Sequence, residues 1–176
     1  EIKDKKDASL IAIYGRRRIG KTFLIRNYFK DEIIFEITGL YKGTPKDQLE
    51  NFRNELDKSF NFLETKKINT WLAAFQVLEN VIKSNESKKK RVIFIDEFPW
   101  IASKGSKFLM AFENFWNQFA SQQKNLIIVI CGSAASYMVK NIIKNKGGLH
   151  NRLTESIRLL PFTLKETASY LKANQV

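Results

Sequence analysis

Short apolar runs rich in Ile and Val alternate along this chain with longer stretches of helical period, and that alternation restricts the fold more than any other feature. The runs at 10–14, 33–38, 92–96, 126–131 and 156–160 read as strands. Strands separated by helical segments form βαβ units, which set the strands parallel and lay the helices against the sheet. Because the runs are almost continuously hydrophobic, both faces of the sheet are expected to be covered by helices. The expected class is α/β.

The helical segments carry their own pattern. Phe108, Phe112, Phe115 and Phe119 recur at spacings of four, three and four, with Leu109 and Trp116 beside them. Trp71, Phe75, Leu78 and Ile82 make a second apolar face, and Leu49, Phe52 and Leu56 a third. Most of the 14 Phe and 3 Trp are therefore assigned to core and not to a stacking platform for bases. A last helix is expected from Thr163, with Glu166 closing a capping box, just after Pro161 ends the fifth strand. The sequence contains no internal repeat and no low-complexity segment.

With 176 residues the chain can bury a core as one domain, residues 1–176, without disulfides or a structural metal. Cys131 has no partner cysteine, which points to a reducing compartment, and the single His150 cannot make a multi-ligand zinc site. Any metal must then be a hard ion held by oxygen. The longest apolar stretch, 126–131, is too short to cross a bilayer, and the start lacks a signal-peptide core, so a cytoplasmic protein is expected. The net charge of +12 favours polyanionic partners such as DNA. A chain that starts at Glu1 and stops at Val176 inside a helical stretch is expected to be part of something longer.

Residues 15–22, GRRRIGKT, match G-x-x-x-x-G-K-[ST] in full, directly after the first strand and before a helical segment. Gly15 and Gly20 let the backbone wrap closely around phosphate oxygens with N–H groups pointing inward, and the opening helix adds its positive end. Lys21 is placed against the outer phosphates, and the Thr22 hydroxyl suits Mg²⁺. The loop with its flank, Gly15, Arg16, Arg17, Arg18, Ile19, Gly20, Lys21, Thr22 and Phe23, is the expected site for ATP with Mg²⁺. Arg16, Arg17 and Arg18 occupy its variable positions. They either add positive potential near the phosphates or point outward to solvent or a partner.

The run at 91–97, RVIFIDE, ends a buried strand with two acids, at the edge of an open parallel sheet where ligands sit. Asp96 is placed to hold Mg²⁺, and Glu97 to orient or deprotonate an attacking water. A common GTPase would show D-x-x-G and N-K-x-D. Here the third residue after Asp96 is Pro99, and Asn145-Lys146 is followed by Gly148 two positions on, which argues against guanine. Ser133, after the strand at 126–131, either contacts the γ-phosphate or the attacking water, or caps the next helix. Lys88, Lys89, Lys90 and Arg91 enter the third strand at its amino end, away from nucleotide, as a solvated turn or a polyanion contact.

GRRRIGKT, IDEFPW, ICGSA, GGLHNR and LLPFTLKE together resemble the archaeal-type ATPase family of the AAA+ and STAND-like P-loop NTPases. The resemblance covers nearly the whole chain. Its first two motifs mark P-loop ATPases generally, and the later three carry the narrower family. It implies a three-layer αβα fold with a five-stranded parallel sheet in the order 5-1-4-3-2, an ATP site at the carboxyl edge, and a helical lid with further domains beyond Val176. By the same resemblance Gly15, Gly20, Lys21 and Thr22 form the phosphate and magnesium site, with Asp96 and Glu97 as the acidic motif. It also makes Ser133 a sensor and Arg152 an arginine finger on the rim of the nucleotide face. Such a finger acts on a neighbouring subunit of a homo-oligomer; a salt bridge to Glu155 or a lid contact are the other readings. The functions implied are an ATPase that drives a partner or a slow nucleotide switch. Phosphotransfer to a small molecule is a third possibility.

Overall fold

All five apolar runs are strands in the computed structural model, which describes residues 7–61, 68–85, 87–144, 149 and 151–173. Asn145, Lys146, Gly147, Gly148 and His150, drawn on above, lie outside the described residues. The strands are β1 (Ser9–Tyr14), β2 (Ile33–Thr38), β3 (Arg91–Asp96), β4 (Leu126–Gly132) and β5 (Glu155–Arg158). Every pairing is parallel, in the order β2-β3-β4-β1-β5, which is the expected order read from the other edge. The chain leaves β1 for β2 at one edge and β4 for β5 at the other. Connections that diverge from adjacent strands open a crevice at their carboxyl ends.

Period two sorts the strand residues onto two faces. Leu10, Ala12, Ile93, Ile95, Ile128 and Ile130 face one layer, made by α2 (Pro45–Phe60), α3 (Trp71–Ser84) and α5 (Phe108–Gln118). Ile11, Ile13, Phe94, Ile127 and Val129 face the other, where Ile25 of α1 (Lys21–Tyr28) and Phe29 pack. Aromatic residues are concentrated in the first layer: the Phe75 ring lies 5.6 Å from Phe108, 6.0 Å from Phe112 and 5.0 Å from Phe115. Each such burial is worth about 1.5–3 kcal/mol relative to exposure. The core reading of these stripes holds, with Phe119 as the residue that ends α5.

Two expectations need correction. The fifth strand starts one residue early, stops at Arg158, and exposes Glu155, Ser156 and Arg158. It pairs with β1 along one edge, and charge on an edge strand deters pairing with other chains. Leu159 adds one more bond to Tyr14 O at 2.8 Å before the chain turns away ahead of Pro161. Arg91, grouped with the basic tract, is only 5% exposed. Its guanidinium donates to Ile82 O at 2.9 Å and Asn85 O at 3.0 Å, closing the carboxyl end of α3.

The expected last helix is α7 (Leu164–Ala173), after the short α4 (Phe98–Ile101) and α6 (Ala135–Tyr137), the latter continuing as a π-helical turn at Met138–Ile143. Its capping box is formed: Thr163 N–H and Oγ1 donate to Glu166 at 2.7 and 2.8 Å, and Glu166 N–H returns to Thr163 Oγ1 at 3.2 Å. These bonds hold the Glu166 carboxyl below its ordinary pKa. None of the residues of α7 is buried.

Candidate nucleotide site

The loop at 15–22 leaves the carboxyl end of β1 and feeds directly into α1. Gly20 caps that helix with φ 85, a left-handed conformation that glycine adopts without strain. A Cβ there would meet nothing within 4 Å, so the backbone faces open space, as a phosphate cradle requires. Gly15 has a further reason to be glycine: a Cβ at that position would lie 2.3 Å from Leu159 O. It lets the β5 extension close on the loop.

Lys21 is 6% exposed, with Nζ donating to Gly15 O at 3.1 Å and Arg16 O at 2.8 Å. Its charge is thus folded back over its own loop, against carbonyls that bear no formal charge. Thr22 Oγ1 donates to Asp96 Oδ2 at 2.6 Å, joining the start of α1 to the end of β3. Asp96 is 6% exposed, and its Oδ1 accepts from Glu97 N–H at 2.8 Å. Hydroxyl and carboxylate side by side form a hard oxygen pair.

Glu97 stands in the left-handed region, φ 45 and ψ 44, at the cap of α4. A non-glycine residue there is uncommon and marks a turn held by its surroundings. Across the crevice Ser133, just past β4, donates to Glu97 Oε2 from Oγ at 2.8 Å and from N–H at 3.3 Å. The cap of α6 is Ala134, without a side-chain bond, so the alternative of Ser133 as a helix cap falls.

Arg16, Arg17, Arg18, Gly20, Lys21, Thr22, Phe23 and Glu97 line an open depression of about 760 Å³. A second depression of about 750 Å³ adjoins it, lined by Arg18, Ile19, Gly20, Phe23, Tyr28, Pro161 and Tyr170 among others, and it is mainly apolar. A larger cavity of about 820 Å³ lies at the amino end of the sheet beside Glu32, Phe60 and Lys90. It contains neither the loop nor the acidic pair. Beneath the loop, burial and then the Asp96 charge push the Cys131 thiol far above its ordinary pKa, leaving it a neutral core group.

Arg152 does not take the rim position expected of it. Thr154 N–H donates to Leu10 O at 2.8 Å, and Leu10 N–H to Thr154 Oγ1 at 3.1 Å, so the chain enters β5 level with the start of β1. The phosphate loop begins after Tyr14, at the other end. A residue that precedes a parallel strand sits at its amino end, so Arg152 is on the far side of the sheet from its own depression, not on the nucleotide rim. Sequence reasoning also missed three groups at the carboxyl edge: Tyr41, Trp100 and the apolar wall at 159–162. Loop segments and a helix of one turn are too short to leave a periodic trace.

A parallel five-stranded sheet with a glycine-capped loop and a buried acid converging at its carboxyl edge defines a P-loop nucleotide-binding domain. The chain belongs to the family of ATPase domains found predominantly in Archaea, whose model matches residues 1–174. It is an ATPase domain. An uncharacterised protein of Methanocaldococcus jannaschii is 28% identical over 168 residues, 95% of this chain and 34% of that protein. The Walker-type ATPase of Pyrococcus abyssi superposes with a TM-score of 0.66 at 19% identity, over 93% of this chain and 52% of that one. The ORC2 protein of Aeropyrum pernix, solved with ADPNP and ADP, superposes with a TM-score of 0.64 at 16% identity, over 94% of this chain and 45% of that one. The chain spans about a third of that relative's length and about half of each of these structures. Among the described residues no helix is long and apolar enough to cross a membrane.

Proposed function

We propose that this domain binds ATP with Mg²⁺ in the paired depressions and hydrolyses it to drive or switch contact with a partner. The observation that carries this reading is the 2.6 Å bond between Thr22 and Asp96, which brings the two residues suited to a hard cation together at the mouth of the loop. They would hold Mg²⁺, whose charge offsets that of the phosphates. Lys21 exchanges its carbonyl partners for phosphate oxygens, a stronger charge-assisted pairing. The apolar depression beyond Gly20, walled by Ile19, Phe23, Pro161 and Tyr170, takes the base.

Glu97 is the carboxylate beside the Mg²⁺ position and serves as the base for water. Ser133 positions it. With both donors on Oε2, Glu97 is held in one orientation at the carboxyl end of β4. A polyanion such as DNA fits the net charge of +12 as a partner, and the exposed Arg152 is accessible to the nucleotide of another copy of the chain.

Calorimetric titration of Lys21→Ala tests the reading. Affinity for Mg²⁺–ATP falls roughly 10- to 100-fold, the equivalent of one or two charge-assisted hydrogen bonds, with the circular dichroism spectrum unchanged. Wild-type affinity in a folded variant would remove the loop from nucleotide binding.

A further inference from the structure

The β2–α2 connection and the turn after β3 each bring one aromatic ring, Tyr41 and Trp100, to a side chain of the phosphate loop. Gln48, fully buried in α2, accepts from Leu40 N–H at 3.0 Å and donates to Leu40 O at 2.7 Å, pinning the backbone of that connection. The pinned segment holds Tyr41, itself 64% exposed, against Trp100 with ring centroids 5.2 Å apart. Trp100 N–H donates to Glu97 O at 2.9 Å, so this pair of rings belongs to the turn that carries Glu97. Onto it reaches a side chain of the phosphate loop. The Arg17 guanidinium lies 5.3 Å from the Trp100 ring and 6.0 Å from that of Tyr41.

These contacts give the depression a direction. Ile19 and the 159–162 segment line only its apolar part, and Glu97, whose turn carries Trp100, lines only the other part. On the nucleotide reading above, on which this inference rests, the base sits at the first end and the terminal phosphate at the second. Arg17 is therefore the variable-loop cation stationed at the terminal phosphate, while Arg18 lines the depressions where they meet at the base end. We infer that Arg17 discriminates tri- from diphosphate, with the Tyr41–Trp100 pair as the resting place of its guanidinium.

The energetics run in one direction. A cation over rings at the protein surface is weakly held, whereas a guanidinium on a phosphate forms charge-assisted, often bidentate hydrogen bonds. A ligand shifts an equilibrium only by its differential interaction with the two states. A third phosphate supplies that difference by drawing Arg17 off the rings. A diphosphate ends short of it and leaves the guanidinium on Trp100.

Calorimetry with Mg²⁺–ATP and Mg²⁺–ADP, paired with tryptophan emission, tests this on the full chain. Trp71 and Trp116 are buried in the far layer, so the nucleotide-dependent signal belongs to Trp100, and Trp100→Phe serves as the control that abolishes it. In wild type, ATP changes the emission and ADP leaves it at the nucleotide-free value. Arg17→Ala, at an exposed position where the fold does not depend on it, lowers ATP affinity about tenfold and ADP affinity less than about twofold, and erases the ATP signal. Arg17→Lys, which keeps the charge but loses the fork, recovers part of the ATP preference. Equal loss for both nucleotides, no loss for either, or an ATP signal that survives in Arg17→Ala overturns the assignment. Failure of wild type to bind either nucleotide overturns the underlying reading as well, and is seen before any variant is made.

Discussion

Glu97 and Ser133 meet at the end of two neighbouring strands, and what they do there is decided by lone pairs. A carboxylate that serves as base must offer an oxygen to water, and Oε2 already accepts from Ser133 Oγ and N–H. Glu97→Gln keeps the shape and the Ser133 contact but cannot take a proton, so it binds Mg²⁺–ATP as wild type does while single-turnover hydrolysis falls on the order of 10²-fold or more. Ser133→Ala leaves affinity unchanged and slows the same step roughly tenfold, because the carboxylate loses its orientation. Rapid-quench measurements on both variants, beside calorimetric affinities, check the pair. Hydrolysis at the wild-type rate in Glu97→Gln would strip that residue of its role.

At the scale of elements, α3 illustrates how far charge counting misleads. Lys88, Lys89, Lys90 and Arg91 look alike in sequence, yet Arg91 is inside the protein and satisfies carbonyls that the last turn of α3 leaves without intrahelical partners. Arg91→Ala lowers unfolding free energy by about 2–3 kcal/mol, as expected for losing hydrogen bonds to a charged donor in a buried place. Joint replacement of the exposed Lys88 and Lys89 by Ser changes it by less than about 1 kcal/mol. Urea denaturation midpoints read the difference directly, and equal effects would refute the distinction. Neither change reaches the nucleotide, since the tract enters β3 at its amino end. In α7 the capping box is formed, but none of its residues is buried and Leu164 is 91% exposed.

For the whole molecule the question is which site Arg152 serves. From β1 to β5 the register puts it roughly a strand length, about 17 Å, from its own phosphate loop, so any action on a nucleotide is on that of a neighbouring copy. Mixing Arg152→Ala, which keeps its loop, with Lys21→Ala, which keeps its arginine, restores ATPase activity if the group works in trans. Normal turnover by Arg152→Ala alone removes it from catalysis. The rim position expected for Arg152 is the one the fold does not keep, and the reason is general. The residues at 15–22 and the acids at 96 and 97 are legible because each is a contiguous run whose chemistry is fixed by its own strand and helix, and the five strands are legible because apolar period survives in one dimension. Sequence order says nothing about which end of the sheet a loop between elements occupies. Only the parallel register placed Arg152 at the far end, only the packing of Leu159 on Gly15 gave that glycine its further reason, and only the convergence of three separate loops put Arg17 on Tyr41 and Trp100. Contacts between residues far apart in the chain depend on the assembled sheet, and they exist only once its strands have paired.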